Sequence, residues 1–557
     1  MMEAARKTEL DAMVAKVSAQ KAAWLAVPLA ERITLLEACR KGVAEVAKAW
    51  VDDGCALKGI APGSNLAGEE WLAGPVVTMR NIRLLLETLQ AGGSVTLRES
   101  APQKAEGGDK RVVRVFPRSL FDRLMFPGAT ADVVVEAGKP ASTGRIYREK
   151  AEGEGKVCLV LGGGNVSSIP PMDVLYKLFA ENEVVVLKTN PVNAHIGGKL
   201  EKAFAALVDR GFLAVTGGDA EDGAYLAEHE GVDTLHVTGS DRTYDAIVWG
   251  KDEAERKDRK SRGEPRNARP FSAELGCVTP VLVVPGPWSD GDLEFQARHV
   301  AAMVTNNASF NCNAAKVLVV SKYWLQRETF LRKVKEALGR IPARKAYYPG
   351  AEARYDAFRS RYRTESVGAA DDGQIPWTIL PDVPNVEGEY ALTNEAFCGI
   401  LGVVTLDAEG PAAFLEEATR FANDRCWGTL SAVLLVAEAT QRDFADDLER
   451  SLAALRYGAI GVNLWPGVIY GLASPPWGAF PGHPPEDIRS GSGFVHNTLL
   501  LDHPEKTIVR GAFRIRPTPP WFSDHKNLRA LGERLFAFES EPTFGHFVGV
   551  ATAAMRG

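Results

Sequence analysis

The segment NNASFNCNAAK, residues 307–317, holds a single sulfur, Cys312, among asparagines where a helical stretch gives way to the strand-like VLVV. A thiolate is a strong nucleophile, but free cysteine titrates near about 8.5 and needs a base or a favourable local field to react at neutral pH. Most cysteines in folded chains are inert filler. Whether this one is more depends on what the rest of the chain brings to it.

Several other short stretches carry groups that could do chemistry. Glu274, in AELGCVTPVLVV, is a carboxylate at the start of a strand, and burial would raise its pKa into the range of a general base. Asn165 follows LVLGGG, in a strand-to-helix turn that includes Gly163. That turn has the context of a dinucleotide fingerprint but runs G-x-G-x-x-S where the usual pattern has a third glycine, so a plain tight turn is an equal reading. Lys188 closes the strand of VVVLKTNP, at the carboxyl end where open α/β sheets bind ligands. In HVTGS, Gly239 permits close approach of the backbone, and Ser240 would cap the next helix, whose N-terminus attracts phosphate. Glu395 and Phe397 lie in NEAFCGILGVV.

These residues need rigid elements to hold them. The 557-residue chain is 45% hydrophobic and 24% charged, enough for two or three domains with their own cores. Up to about residue 95 the pattern is helical, with Ile33, Leu36, Cys39 and Val43 on one face of a helix. The polar, glycine-rich AGGSVTLRESAPQKAEGGDKR that follows reads as a loop. From residue 156 onward short β-branched runs alternate with amphipathic helices (KVCLVLGGG, PMDVLYKLFAENE, VVVLK, GGKLEKAFAALVDRG, LAVT, DTLHVTGS), the signature of a parallel, doubly wound, Rossmann-like sheet. A second such series runs from TPVLVVPG to AIGVNLW. Between the two, GKDEAERKDRKSRGEPRNARP reads as a solvated loop or helix extension.

Other function classes drop out on composition and motif. The net charge of -6 gives no basis for a nucleic-acid groove or a polybasic membrane patch. No apolar run reaches the roughly 20 residues of a membrane span, and the start of the chain does not read as a signal peptide. The seven cysteines form no CxxC pair, so reduced thiols, a cytoplasmic location and no metal site are expected. HExxH, GxSxG and GxxxxGK[ST] are absent.

Taken in order over roughly residues 20 to 515, these stretches resemble the aldehyde dehydrogenase superfamily. GGGNVSSIPPMDVLYKLFAENEVVVLKTNP is similar to the family's proline-tryptophan-asparagine turn, helix and lysine strand, and AVTGGDAEDGAYLAEHEGVDTLHVTGS to its glycine-serine motif. AELGCVTPVLVV, NNASFNC and NEAFCGILGVV resemble its glutamate, cysteine and glutamate-x-phenylalanine motifs. The resemblance implies NAD- or NADP-dependent oxidation of an aldehyde to a carboxylic acid through a thiohemiacetal and a thioester. It makes Cys312 the nucleophile, Glu274 the general base and Asn165 an oxyanion donor. Glu395 and Phe397 would grip the nicotinamide riboside, while Lys188, Gly239, Ser240, Gly163 and Pro191 would lie against the rest of the cofactor. Without Glu274 the alternative would be a CoA-acylating enzyme; a non-catalytic binding protein on the same scaffold is the third reading.

The departures from the family pattern fall close to the site. Gly164 replaces a tryptophan and is expected to enlarge the aldehyde tunnel. Cys277 puts a second thiol in the glutamate motif, with packing as its expected role. ASF, residues 308–310, replaces a more polar run, and Ile400 replaces a proline. Pro191 stands where a glutamate often rejects the 2'-phosphate of NADP, which leaves NAD and NADP both open.

The fold expected is an α/β aldehyde dehydrogenase-like one. Residues 1–131 and 153–273 form N-terminal helices plus a Rossmann-like cofactor domain, 274–480 a catalytic thiol domain, 132–152 and 497–516 a small β oligomerisation arm, and 517–557 a C-terminal extension. The arm strands are expected in GRIYREK and EKTIVRGAFRI and imply a homodimer or homotetramer. The aromatic LWPGVIYGLASPPWGAFPG near the expected tunnel leans toward an apolar or aromatic aldehyde.

Overall fold

The computed structural model describes residues 2–104, 108–149 and 153–557. Up to residue 90 the chain is helical: α1 (Ala4–Ser18), α2 (Lys21–Ala26), α3 (Leu29–Lys58), α4 (Ala67–Trp71) and α5 (Val77–Gln90), with a π-helical turn, Leu72–Val76, between the last two. Leu36, Cys39 and Val43 are buried, with Ile33 half-buried beside them. They pack into one core with the five-stranded sheet that follows, so the helices cover one of its faces. Three strands come next in the chain, β1 (Arg98–Gln103), β2 (Lys110–Phe116) and β3 (Thr130–Val135), and they belong to a different sheet.

The five-stranded sheet comprises β4 (Lys156–Leu161), β5 (Glu183–Lys188), β6 (Leu213–Thr216), β7 (Thr234–Gly239) and β8 (Phe271–Leu275), in the order β6-β5-β4-β7-β8 and parallel throughout. Every residue of β5 is buried, as expected of a parallel strand covered on both faces. The strand order reverses about β4, so the turns after β4 and β7 diverge and leave a crevice at the carboxyl edge. β8 continues through Glu274 and Leu275, so the sheet ends just past the division expected at residue 273.

The second sheet has eleven strands. Its centre is parallel and comprises β9 (Thr279–Val283), β10 (Ala315–Ser321), Ile400–Leu406, Ser431–Leu435, Ala459–Val462 and Pro504–Arg510. Beyond Pro504–Arg510 the antiparallel strands β3, β2 and β1 extend it to an edge.

Two local expectations are corrected. The polar stretch expected as a loop contains β1 and the start of β2; residues 105–107 of it lie outside the described residues. β1 is an edge strand with little burial, so it carries no apolar alternation for a sequence reading to find. GRIYREK is not an arm strand. Gly144 takes φ 70° and donates its N–H to the Leu500 carbonyl, and the chain turns into a short helix, Arg145–Arg148, with Tyr147 donating its hydroxyl to the Phe179 carbonyl. The strand that pairs with Pro504–Arg510 is β3 instead, and Lys150, at the end of the stretch, lies outside the described residues.

The C-terminal extension folds onto the body. Helices Leu528–Ser540 and Phe544–Ala554 pack on each other, and the first of them packs on α4, the π turn and α5. The basic stretch expected between the two series lies instead in the crossover from β7 to β8 of the five-stranded sheet, and it contains a largely exposed helix, Glu253–Arg262. Among the described residues no helix is long and apolar enough to cross a membrane.

Candidate active site

Cys312 is half-buried where two cavities meet. The larger, about 950 Å³, runs along the carboxyl edge of the five-stranded sheet. The smaller, about 210 Å³, lies on the other side of the thiol and is mainly apolar. Glu274 opens onto both.

The loop that presents the thiol is held in an unusual backbone. Asn307, Ala308 and Ser309 have φ values of 52°, 55° and 70°, three consecutive non-glycine residues in the left-handed region, where each L-residue costs roughly 1–2 kcal/mol. Buried contacts offset that cost. The Lys58 ammonium donates to Asn307 Oδ1 at 2.9 Å and to the Asn165 carbonyl at 3.3 Å while paired with Glu70 at 2.7 Å. Tyr347 donates its hydroxyl to the same two oxygens. Glu69 accepts the Asn307 N–H and is paired with Arg344 at 3.0 Å. The Ser309 hydroxyl donates to the Cys398 carbonyl, and Phe310 packs among Tyr347, Tyr348 and Phe397 with ring centroids 4.8–5.8 Å away. The unusual ASF is thus the anchor of the loop, with Phe310 as its apolar foot.

Asn165 lies against this loop, its amide donating to the Phe310 carbonyl at 2.9 Å. Its other N–H and the Cys312 backbone N–H are the donors available to an oxyanion. Glu274 is 3% exposed, lines both cavities together with Cys312, and its Oε1 has no hydrogen-bond partner among the described residues. Burial, supplemented by the charges of Asp173 and Glu395, pushes its carboxyl up to about 8 against the lowering effect of the nearby Cys312 thiol. Burial raises the Cys312 thiol as well, and the Glu274 and Glu395 carboxyls add to the rise. Asp173 is fully buried behind β7, where it accepts the Thr238 hydroxyl at 3.0 Å. Burial alone would raise its carboxyl, but His236 and His496 hold it down at about 2; His496 Nε2 lies 2.8 Å from Asp173 Oδ1.

Glu395 and Phe397 flank the large cavity, which also reaches the thiol. Burial pushes the Glu395 carboxyl up to about 7 against the pull of Lys316, 3.7 Å away, and its Oε1 has no hydrogen-bond partner among the described residues. Phe397 takes φ 43°, and the Arg354 guanidinium holds it by donating to the Ala396 and Phe397 carbonyls. Lys188, Pro191, Gly239 and Ser240 line the same cavity along the strand ends. Lys188 is buried, its pKa lowered by burial against the pull of Asp222 and Asp219, and no described residue hydrogen-bonds its ammonium. Ser240 is exposed and caps helix Asp241–Val248, accepting the Thr243 N–H at 3.2 Å.

Two expectations need adjustment, and the packing role expected of Cys277 is met. Gly163 does not line the cleft; it is buried in the turn, its carbonyl accepting the Asn193 amide at 3.3 Å, while Gly162 and Gly164 form the cleft wall. Gly164 does not widen the smaller cavity, because it faces the large one, where a Cβ would stand 2.6 Å from Asn190 Oδ1. Cys277 lines neither cavity; it is fully buried against the Ser431 carbonyl, and burial raises its thiol. Sequence reasoning does not reach Lys58, Glu70, Tyr347, Asp173 or the second cavity. Lys58 and Glu70 lie in ordinary helical text, and only their burial distinguishes them.

Residues 156–352 match the model of the aldehyde dehydrogenase family. A search of curated proteins finds no match. Among solved structures, the Mycobacterium tuberculosis aldehyde dehydrogenase complexed with NAD+ is 18% identical with a TM-score of 0.60, over 92% of this chain and 91% of that one. The Pseudomonas syringae indole-3-acetaldehyde dehydrogenase in complex with NAD+ and IAA is 18% identical, TM-score 0.59, over 90% and 88%. The NADP-dependent glyceraldehyde-3-phosphate dehydrogenase of Bacillus halodurans, complexed with NADP, is 16% identical, TM-score 0.58, over 90% and 91%. At these identities the structural likeness establishes a shared fold.

Proposed function

We propose that this chain, a member of the aldehyde dehydrogenase superfamily by its sequence over residues 156–352 and by its fold, oxidises an aldehyde to a carboxylic acid with NAD or NADP. The observation that carries the reading is that Cys312 and the buried Glu274 carboxyl together line the place where a dinucleotide-sized cleft meets a small apolar chamber. The residues of the cleft suit the cofactor: Lys188 offers an ammonium without a hydrogen-bond partner among the described residues to ribose or phosphate, Ser240 starts a helix whose N-terminus favours phosphate, and Glu395 Oε1, ion-paired with Lys316, has no hydrogen-bond partner among the described residues. When bound, NAD or NADP supplies the hydride acceptor. Pro191 presents no carboxylate to a 2'-phosphate, so both cofactors are accommodated.

The chain's own residues account for the remaining steps. Glu274 takes the thiol proton as the Cys312 sulfur bonds to the aldehyde carbon, forming a thiohemiacetal. Asn165 Nδ2–H and the Cys312 N–H donate to the oxyanion, and losing one such donor costs about 100- to 1000-fold in rate. Once the adduct has lost hydride, a thioester remains on Cys312. Glu274, having passed the thiol proton to solvent, then takes a proton from water as the hydroxyl adds to the acyl carbon and returns it to the departing sulfur, so the carboxylic acid leaves with the thiol restored. With its carboxyl raised to about 8 by burial, Glu274 becomes the free base in a growing share of molecules toward pH 8, so turnover is expected to rise with pH up to that range. The free cysteines support work in a reducing, cytoplasmic setting, and the unpaired edge at β1 supports assembly as a homodimer or homotetramer.

The test is to supply apolar and aromatic aldehydes with each cofactor, with and without CoA, and to follow reduced nicotinamide. Turnover independent of CoA is expected; an absolute CoA requirement replaces hydrolysis with acyl transfer, and the absence of turnover with every aldehyde refutes the reading.

A further inference from the structure

The 210 Å³ chamber beyond Cys312 is not completed by the segments that hold the nucleophile. One wall is the π turn and α5, a second comes from Val468 and Leu472, and the last comes from the C-terminal extension through Trp521, Leu535 and Glu539. The extension is fixed in place by polar anchors. Asp524 pairs with Arg298 at 2.7 Å, the Ser523 and Thr305 hydroxyls are 2.9 Å apart, and Asn65 donates to the His525 carbonyl. At Gly68 of α4 a Cβ would collide with the Leu528 backbone, so the extension lies directly on the helix that leads into the chamber wall.

The chamber's charged boundary is shared between α5 and the extension. Arg80 is 4% exposed and donates to Glu539 at 2.7 Å, to Asp122 at 3.0 Å and to the Leu472 carbonyl at 2.7 Å. The other Glu539 oxygen accepts from Arg83 at 2.8 Å. Arg80 is therefore already matched by two carboxylates and offers no free cation to a third. The lining between this cluster and the thiol is mainly apolar and aromatic, and cavities of about 150 Å³ suffice to hold a benzene ring.

Resting on the aldehyde-oxidising reading, we propose that the C-terminal extension sets the substrate specificity of this site. Trp521 and Leu535 limit the size of the aldehyde, and Glu539 keeps the chamber closed to aldehydes that carry a terminal carboxylate. The substrate class is an uncharged apolar aldehyde of about the size of benzaldehyde or a six- to eight-carbon chain, a size set by the volume of ring that such cavities hold.

The test uses the full chain and compares kcat/KM for benzaldehyde, 4-carboxybenzaldehyde and the straight-chain aldehydes from butanal to decanal. The wild type is expected to favour benzaldehyde over its 4-carboxy form, and hexanal over decanal, by about tenfold or more. Trp521→Ala and Leu535→Ala should move the preferred chain length up by about two carbons or more, read as the ratio of kcat/KM between decanal and butanal. Glu539→Gln should raise the ratio of 4-carboxybenzaldehyde to benzaldehyde about tenfold, by removing a like charge. Should Glu539→Gln fail to fold, the two apolar variants still decide the matter. Unchanged chain-length preference in both overturns the proposal, as does a wild type that takes 4-carboxybenzaldehyde as well as benzaldehyde. If the wild type turns over no aldehyde, the catalytic reading falls by itself, and tryptophan-fluorescence titration then reads the chamber: binding of benzaldehyde without its 4-carboxy form supports the proposal, and any other result overturns it.

Discussion

At the inner end of the large cleft, Cys312 follows three left-handed residues tied down by Lys58, Glu69, Tyr347 and Asn165, which come from distant parts of the chain. At its outer end, Lys188, Gly239 and Ser240 stand on the ends of two parallel strands, supported by the sheet and by a helix cap. The inner end bears backbone strain and buried charge, which fix a reacting atom in place. The outer end is open and regular, which suits a ligand that must enter and leave. Chemistry here depends on long-range contacts, and binding depends on strand geometry.

Substitutions at the two ends should therefore fail differently. Cys312→Ala is expected to lower kcat by about 10⁴-fold or more, the scale of losing a covalent nucleophile, with cofactor affinity within about twofold by titration calorimetry. Equal loss of cofactor binding would erase the distinction between the ends. Glu274→Gln should slow the single-turnover formation of reduced nicotinamide and slow steady turnover further, about 10³-fold. It should also change stability with a definite sign. The folded Glu274 keeps its proton up to about 8, whereas the unfolded chain gives it up near 4.5, so unfolding releases a proton across that window and stability falls as pH rises. The Gln variant lacks this loss, and its melting temperature should exceed that of the wild type at about pH 8 and match it near pH 4.

Lys58→Met tests the supporting contacts. It leaves Glu70 as a buried, unpaired carboxylate, and denaturant titration should read a loss of about 3–5 kcal/mol. In the protein that remains folded, kcat should drop about 100-fold with the cofactor KM unchanged, the effect of a displaced reactive atom. The smallest change is expected at the outer end: Lys188→Ala should raise the cofactor KM about tenfold and leave kcat intact, as one lost charge-assisted contact would. A fall in kcat there would mean that Lys188 reaches into the chemistry.

The same contrast explains what is legible in the sequence. Lys188, Gly239 and Ser240 end apolar strands within a few residues of telling turns, and Asn165 follows a glycine run between strand and helix, so local pattern alone brings them to the cleft. Gly163 misleads because a glycine in such a turn can serve the fold of the turn as readily as its ligand face. The support of the nucleophile leaves no local trace: Lys58 reaches Asn307 across 249 positions, and alanine and serine carry no signal for left-handed backbone. The helix at Arg145–Arg148 hides because it is a single turn whose Ile146 and Tyr147 are strand-favouring residues, while Gly144 turns the chain, and β1 hides because an edge strand has no buried face to betray it.

The chamber walls also imply an order of events at the ribosome. The residues that line the cofactor cleft end in chain order at Trp427, whereas Trp521, Leu535 and Glu539 follow much later. A chain emerging from its N-terminus thus has every residue of the dinucleotide cleft in hand before the last wall of the aldehyde chamber exists. The strand β8 beside the cleft is held by residues Ser490–Ser492, and the helix Leu528–Ser540 settles onto α4 and α5 later still, so the chamber is the last part of the site to be completed in chain order.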